Sequence, residues 1–391
     1  MEESQEARKN ILFVDDEACV LQGLRRMLRG QRKRWSMTFV GSGTQALEAC
    51  QSEPFDVVVC DMRMPGMNGV EVLSQIRARH PASVRIVLSG HMESETAMRA
   101  VPVAHQFLAK PCTPSQIVAT VERACNIQRV LQPPQLRDAL GKLSALPSLP
   151  EVYHQLSDAL QDSNASIRSI AQIVERDMAM CAKVLQLVNS AFFGLPGRVD
   201  RIERAVHYIG LQTLRALVLG ASVFEAFEDA DPDKGHQLKL VQHHAGLTAH
   251  LARHIMSSLK PERRDEAFLA GITHRVGALV WSRFPQVHGL LQCSPERAQA
   301  YLGGYLLGIW GLPYPIVEAV AYLHQPEEVE PQEFGLVTAL HCASALAAEA
   351  CGLEPCGEDG LINEALLERQ GHGQHLEQWR ATAQELLIRC L

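Results

Sequence analysis

The residues whose types could take part in a reaction stand at the ends of short apolar runs in the first third of the chain. Asp61 closes one such run and enters a loop rich in Pro and Gly. The pair Asp15 and Asp16 follows an earlier run, while Ser89 and Lys110 each follow a later one. Three acids, a hydroxyl and an amine, if gathered, can hold a divalent cation and a phosphoryl group.

The elements that must position these residues alternate between β-type and helical patterns. Strands are predicted at 10–14, 37–40, 55–60, 84–88 and 106–109, and amphipathic helices at 17–29, 43–51, 68–79, 93–101 and 114–130. This alternation predicts an α/β fold with a doubly wound, five-stranded parallel sheet. Ligands of such sheets bind at the carboxyl ends of the strands, which is where all the residues above fall.

The acids suggest a Mg²⁺ site in which Asp16 and Asp61 supply carboxylates and Asp15 acts through water. Lys110 would add a positive charge, and the Ser89 hydroxyl would bond a phosphoryl oxygen. Taken singly, each feature has a simpler interpretation, such as a helix cap for the Asp pair or an Asx turn for Asp61. Their occurrence together, each at the end of a successive run, favours the chemical interpretation.

Residues 8–130 resemble the receiver domain of two-component response regulators, because all these residues stand where that family has them. The resemblance implies that Asp61 accepts a phosphoryl group from the phosphohistidine of a histidine kinase or phosphotransfer protein. It implies Mg²⁺ held by Asp16, Asp61 and the backbone carbonyl of Arg63, with Asp15 beside them. It further implies a cis peptide bond after Lys110 and a switching aromatic at Phe107.

Bulk properties limit the other possibilities. The chain has 391 residues, which predicts two or three domains. Its net charge of −7 argues against wholesale nucleic-acid binding, and the basic stretch 25–34 is interpreted as a solvated helix end. The 11 cysteines form no Cys-x-x-Cys pair, and neither a signal peptide nor a membrane span is predicted. We therefore expect a cytoplasmic protein with no membrane partner.

The pattern changes after the Pro-Pro pair in a predicted linker, 131–137. Residues 138–350 show successive helical patterns and no convincing strand, which predicts an all-α domain. Residues 351–391 are predicted to form a helical extension of that domain.

The second region resembles the HDOD domain, a branch of the HD superfamily. The matching segments are 146–153, 182–194, 202–210, 305–313 and 321–326. Aligned by these segments, His244 and His274 keep metal-ligand positions, but Arg275 replaces the metal-binding Asp. Other ligand positions are also altered, namely Gln299, Leu323 with His324 beside it, and Ser344. An Arg among a few neutral imidazoles would repel a dication, so the resemblance implies a non-catalytic interaction module.

The sequence therefore predicts a response regulator whose phosphorylation at Asp61 switches an HDOD output that binds another signalling protein. Phosphorylation would draw Ser89 toward the phosphoryl group and Phe107 inward. The face reshaped in this way would repack either against another receiver, giving a homodimer, or against the chain's own HDOD domain. The alternative is an enzyme, a receiver-controlled cyclic-dinucleotide phosphodiesterase of the HD-GYP type. The broken His-Asp dyad at His274 and the missing Gly-Tyr-Pro signature argue against it. Direct nucleic-acid binding is not expected.

Overall fold

The architecture was obtained as a computed structural model. It describes the residues 8–89, 100, 103–130, 138, 140–141, 146–148, 150–162, 165–189, 199–211, 214, 224–226, 232–284, 291–353 and 360–390.

A five-stranded parallel sheet occupies the first part of the chain. Its strands are β1 (Lys9–Val14), β2 (Trp35–Val40), β3 (Val57–Asp61), β4 (Val84–Ser89) and β5 (Gln106–Ala109). They lie in the order β2-β1-β3-β4-β5, and every neighbouring pair is parallel. The predicted five-stranded parallel fold is confirmed, and each predicted strand overlaps an observed one.

Helices follow the strands as the sequence predicted. They are α1 (Ala18–Met27), α2 (Gly43–Ser52), α3 (Gly69–Arg79) and α4 (Pro114–Val130). The helix predicted at 93–101 lies outside the described residues except for Ala100, which is helical. All five residues of β3 are buried, as expected for a central parallel strand covered on both faces.

The second part of the chain is built almost entirely from helices. These are α5 (Pro150–Gln161), α6 (Ile167–Val174), α7 (Met178–Val188), α8 (Ile202–Ile209), α9 (Pro232–Leu259), α10 (Arg264–Thr273), α11 (Val276–Arg283), α12 (Pro295–Ile309), α13 (Tyr314–Ala321), α14 (Leu336–Ala350), α15 (Glu364–Arg369) and α16 (Leu376–Cys390). Single 3₁₀ turns occur at 29–31, 261–263, 326–328 and 373–375. No helix in the described ranges is both long and apolar enough to span a bilayer.

One detail of the helical region differs from the prediction that it contains no strand. β6 (Leu146–Ser148) and β7 (Phe224–Ala226) form a two-stranded parallel ladder. Each strand has only three residues, which is too short for the alternation of apolar and polar residues that marks a strand in sequence.

The chain divides into two compact units. The first comprises 1–144 with the short segments 189–196 and 309–311, and the second comprises the remaining residues. Within the second unit, α9, α10 and α14 are packed against one another.

The packing of α9 against α10 depends on a glycine. A Cβ atom added at Gly271 on α10 would lie 2.4 Å from the Cα atom and 2.7 Å from the backbone nitrogen of Ala249 on α9. Real Cβ atoms do not approach a backbone so closely, so a side chain at this position would force the two helices apart. By contrast, nothing lies within 4 Å of a Cβ atom added at Gly246 on α9.

We expect Gly271→Ala to lower the free energy of unfolding by about 1–3 kcal/mol, the usual cost of overpacking. Gly246→Ala is the matched control, and it should raise stability by roughly 0.5–1 kcal/mol through helix propensity. Urea unfolding followed by circular dichroism measures both effects. Equal stability of the two variants would contradict the close helix contact.

Candidate functional site

A lysine joins two buried carboxylates at the carboxyl edge of the sheet. The Lys110 Nζ atom donates to Asp15 Oδ2 at 2.6 Å and to Asp61 Oδ1 at 2.5 Å. The Asp15 and Asp61 side chains are 1% and 8% exposed, whereas that of Lys110 is 21% exposed. Since these residues end or follow β1, β3 and β5, the parallel sheet brings together groups that are distant in sequence.

The other carboxylate oxygens accept hydrogen bonds from the backbone. Asp61 Oδ2 accepts the Arg63 backbone N–H at 2.7 Å, and Asp15 Oδ1 accepts the Glu17 backbone N–H at 3.0 Å. Each carboxylate is therefore held at both oxygens. Every carboxylate oxygen has a second lone pair, so the two carboxylates can still coordinate a cation.

The loop after Asp61 is fixed by the start of α3. Asn68 caps this helix in a reciprocal capping box with Glu71, and the Gly69 backbone N–H donates to the Met62 carbonyl at 3.0 Å. A Cβ atom on Gly69 would lie 2.1 Å from the Asp61 carbonyl oxygen, so this position accepts only glycine. These contacts fix the backbone of the loop that follows Asp61.

Burial and hydrogen bonding shift the pKa of both partners. Burial raises the pKa of Asp61, and the hydrogen bonds from Lys110 and the Arg63 backbone oppose that effect only in part. Burial lowers the pKa of Lys110, but its hydrogen bonds to Asp15 and Asp61 outweigh that effect and raise the pKa on balance. Lys110 is therefore a stable cation, while Asp61 carries a charge that one lysine does not fully compensate.

The remaining predicted site residues occupy different environments. Asp16 is exposed, as is Arg63, and Phe107 on β5 is buried. Ser89 ends β4 beside Ala109, and its side chain lies outside the described residues. The peptide bond between Lys110 and Pro111 is cis, as the receiver resemblance implied.

The donor set at this edge fits a hard divalent cation. Asp15 and Asp61 supply buried carboxylate oxygens, and Mg²⁺ needs only one or two carboxylates because water and phosphate complete its coordination. In the described part of the chain, no three His, Cys, Asp or Glu side chains are grouped to hold a metal. The contacts of Lys110 bring Asp15 and Asp61 together, and Asp16 stands exposed directly after Asp15.

The two histidines that keep metal-ligand positions, His244 and His274, bond to the protein. His274 Nδ1 donates to the Gly271 carbonyl at 2.6 Å, which leaves Nε2 to accept from the Ser344 hydroxyl at 3.3 Å. His244 Nε2 donates to the Ser344 carbonyl at 3.0 Å, and the two imidazole centroids are 5.2 Å apart. The residue at the altered ligand position, Ser344, thus ties the two imidazoles to α14.

A third buried histidine was not assigned a role from the sequence. His341 Nδ1 donates to the Leu323 carbonyl at 2.9 Å, and its Nε2 accepts the Asn363 backbone N–H at 3.0 Å. Both ring nitrogens are therefore engaged, one of them by the extension that follows residue 350. In the sequence, only the position of His341 within an apolar helix indicated that this side chain would be buried.

Comparison with known proteins identifies both domains. The response regulator receiver domain family matches residues 11–122, and the HDOD domain family matches residues 146–326. The hydrogenase transcriptional regulatory protein HoxA of Cupriavidus necator is 32% identical over 219 residues, which are 53% of this chain and 44% of that protein. HoxA of Bradyrhizobium diazoefficiens is 36% identical over 220 residues, which are 54% and 44% of the two chains. The chain thus spans less than half the length of these curated relatives.

Two solved structures are also similar. The signal receiver domain of an HD domain-containing protein from Pseudomonas fluorescens Pf-5 is 26% identical with a TM-score of 0.31, covering 32% of this chain and all of that one. The MmoQ response regulator from Methylococcus capsulatus is 19% identical with a TM-score of 0.47, covering 60% and 98% of the two chains. With the two family matches in series, the chain is a response regulator in which a receiver domain precedes an HDOD domain.

Proposed function

We propose that Asp61 is the phosphoacceptor of a two-component pathway and that its phosphorylation switches a non-catalytic HDOD output. The observation that carries this proposal is the double contact of Lys110 with Asp15 and Asp61, which gathers nucleophile, cation and neighbouring acid at one sheet edge. A purely structural ion pair would need only one carboxylate.

In the proposed reaction an Asp61 carboxylate oxygen attacks the phosphorus of a phosphohistidine on a kinase or phosphotransfer protein. An O–P bond forms as the P–N bond breaks, and the departing imidazole nitrogen keeps the bonding electrons. The backbone N–H of Arg63 holds one Asp61 oxygen in place. Lys110 lies where it can exchange its contact with that carboxylate for one with a phosphoryl oxygen.

Asp15, Asp16, Asp61 and the carbonyl of Arg63 would hold the Mg²⁺ ion. When bound, the ion would neutralise charge on the phosphoryl group as it transfers. Lys110 would do the same from the other side, and Ser89 and Phe107 would respond once the phosphoryl group is in place. A second receiver is the partner proposed for the altered face.

We propose that the HDOD domain binds a downstream signalling protein and has no catalytic metal. Burial lowers the pKa of His244 to about 4, and the nearby charge of Arg275 acts in the same direction. Burial also lowers the pKa of His341 to about 4. These imidazoles are neutral and hydrogen-bonded to the protein, which is the behaviour of core residues.

Phosphorylation of the intact chain tests the first half of the proposal. With acetyl phosphate and Mg²⁺ as donor system, intact-mass spectrometry should detect one added phosphoryl group in the wild type and none in Asp61→Asn. Lys110→Met should reduce the modified fraction by about tenfold or more, since a charged hydrogen-bonding partner is lost. Glu48→Gln, which removes an exposed carboxylate on α2, is the control and should behave as wild type. Persistent modification of Asp61→Asn would exclude Asp61 as the acceptor.

Metal analysis tests the second half. The purified full-length chain should contain no stoichiometric iron, manganese or zinc, because the imidazoles at the two retained ligand positions, His244 and His274, bond to protein partners. One equivalent of such a metal, lost in a His244→Asn and His274→Asn double variant, would support the phosphodiesterase alternative instead.

The buried histidines also predict a pH dependence of stability. The pKa of His244 and His341 lies near 4 in the folded state and near 6.5 when unfolded, so the unfolded chain binds more protons below pH 6.5. The contribution of these histidines to stability should be constant above that pH and fall between pH 6.5 and 4, by on the order of 3 kcal/mol per histidine. His341→Gln should flatten part of this slope in urea unfolding, whereas His254→Gln, at an exposed position, should leave it unchanged.

A further inference from the structure

A buried arginine lies at the opposite end of the sheet from the candidate site. Arg85, the second residue of β4, is 1% exposed. Its guanidinium donates to four carbonyl oxygens: Nε to Val103 at 2.7 Å, Nη1 to Pro81 at 3.2 Å and to Ser83 at 3.0 Å, and Nη2 to Gly141 at 2.8 Å. Three of these acceptors lie in the receiver next to β4 and β5, whereas Gly141 lies beyond the end of α4.

His105, just before β5, contacts the same arginine through both its backbone and its ring. The His105 backbone N–H donates to the Arg85 carbonyl at 2.8 Å, and the Arg85 backbone N–H donates to His105 Nδ1 at 3.0 Å. The other ring nitrogen lies 2.9 Å from Arg85 Nη2. Since His105 is 4% exposed, backbone and ring together fix the arginine at the amino ends of β4 and β5.

The segment that Arg85 holds is tightly seated. We call its described residues, Asp138, Leu140 and Gly141, the anchor segment. Leu140 is completely buried. A Cβ atom on Gly141 would lie 1.8 Å from the Pro81 carbonyl oxygen, so any side chain there would push the segment off the receiver. The anchor segment also belongs to the same compact unit as the sheet.

The strands that hold the anchor segment also carry the proposed switch. Side chains alternate between the faces of a strand, so His105 and Phe107 project from the same face of β5. Phe107 pairs with Val87, two residues beyond Arg85 on β4. Packed strands move as stiff units, so a shift imposed at their carboxyl ends is carried to their amino ends.

We propose that Arg85 makes the anchor segment part of the receiver, and that the receiver passes its state toward the HDOD domain through this contact. The second part of this inference rests on the proposed function, because it takes phosphorylation of Asp61 as the input. The partner of Arg85 is thus a segment of the same chain. Arg85 binds this segment through the Gly141 carbonyl oxygen, and the close contact is possible because Gly141 has no side chain.

Hydrogen exchange on the full-length chain tests the anchor without phosphorylation. Peptides covering 138–141 should exchange about tenfold faster in Arg85→Lys and in Gly141→Ala, since a bond from a charged donor is lost or blocked. Arg79→Lys and Gly23→Ala are matched controls at an exposed position and at a glycine with nothing within 4 Å. If Arg85→Lys unfolds the receiver, Gly141→Ala decides the question, and unchanged protection in that variant overturns the proposal.

Beryllofluoride with Mg²⁺, which mimics the phosphoryl group, tests the transmission. The exchange rate of peptides covering 138–141 should change by about fivefold or more in the wild type, which is the lower end of the usual range for allosteric coupling. It should not change in Asp61→Asn. A change around Asp61 without one at 138–141 would overturn this inference and leave the phosphoacceptor role standing. The absence of any change around Asp61 would contradict the proposed function. The result for Gly141→Ala would still decide whether Arg85 holds the anchor segment on the receiver.

Discussion

The receiver depends on one buried electrostatic arrangement, in which a single ammonium group is shared by two carboxylates. Asp15 follows β1 and Asp61 ends the adjacent strand β3, and Lys110 reaches both from the end of β5. Two acids at this spacing repel each other unless a cation lies between them. The parallel sheet supplies the spacing, and the backbone N–H groups at Glu17 and Arg63 hold the outer oxygens.

This arrangement leaves the charge of Asp61 only partly compensated. A fully compensated pair would lower the pKa of its carboxylate, yet the pKa of Asp61 is raised because burial outweighs the help from Lys110. The site therefore gains from additional positive charge, and the exposed Asp16 adds a further acid next to Asp15. A carboxylate that is fixed in position, partly uncompensated and close to a cation is well suited to nucleophilic attack on a phosphoryl group.

The sequence allowed the sheet and most of the site to be predicted, because both depend on local patterns. Apolar runs mark the strands, and parallel strands necessarily bring Asp15, Asp61 and Lys110 to one edge. The direct contact between Lys110 and Asp15 was not predicted, because it depends on a side-chain conformation. The short β6–β7 ladder was missed, because three residues carry no periodic signal.

Arg85 was the least predictable of the important residues. It interrupts an apolar run that otherwise indicates a core strand, and nothing in that run shows what would satisfy a buried guanidinium. Its acceptors include a carbonyl 56 positions away, at Gly141. Only the folded chain shows that a charge in the core is paired with backbone dipoles, as a buried charge must be.

The two cations Lys110 and Arg85 differ in a way that matches their positions in the receiver. Lys110 is a compact, partly exposed charge on a flexible stem, so it can shift its hydrogen bonds between Asp15 and Asp61. Arg85 presents a planar, rigid fork whose donors already point at fixed carbonyl oxygens, so it resists rearrangement. The carboxyl edge is thus the adaptable end of the sheet and the amino edge its fixed end.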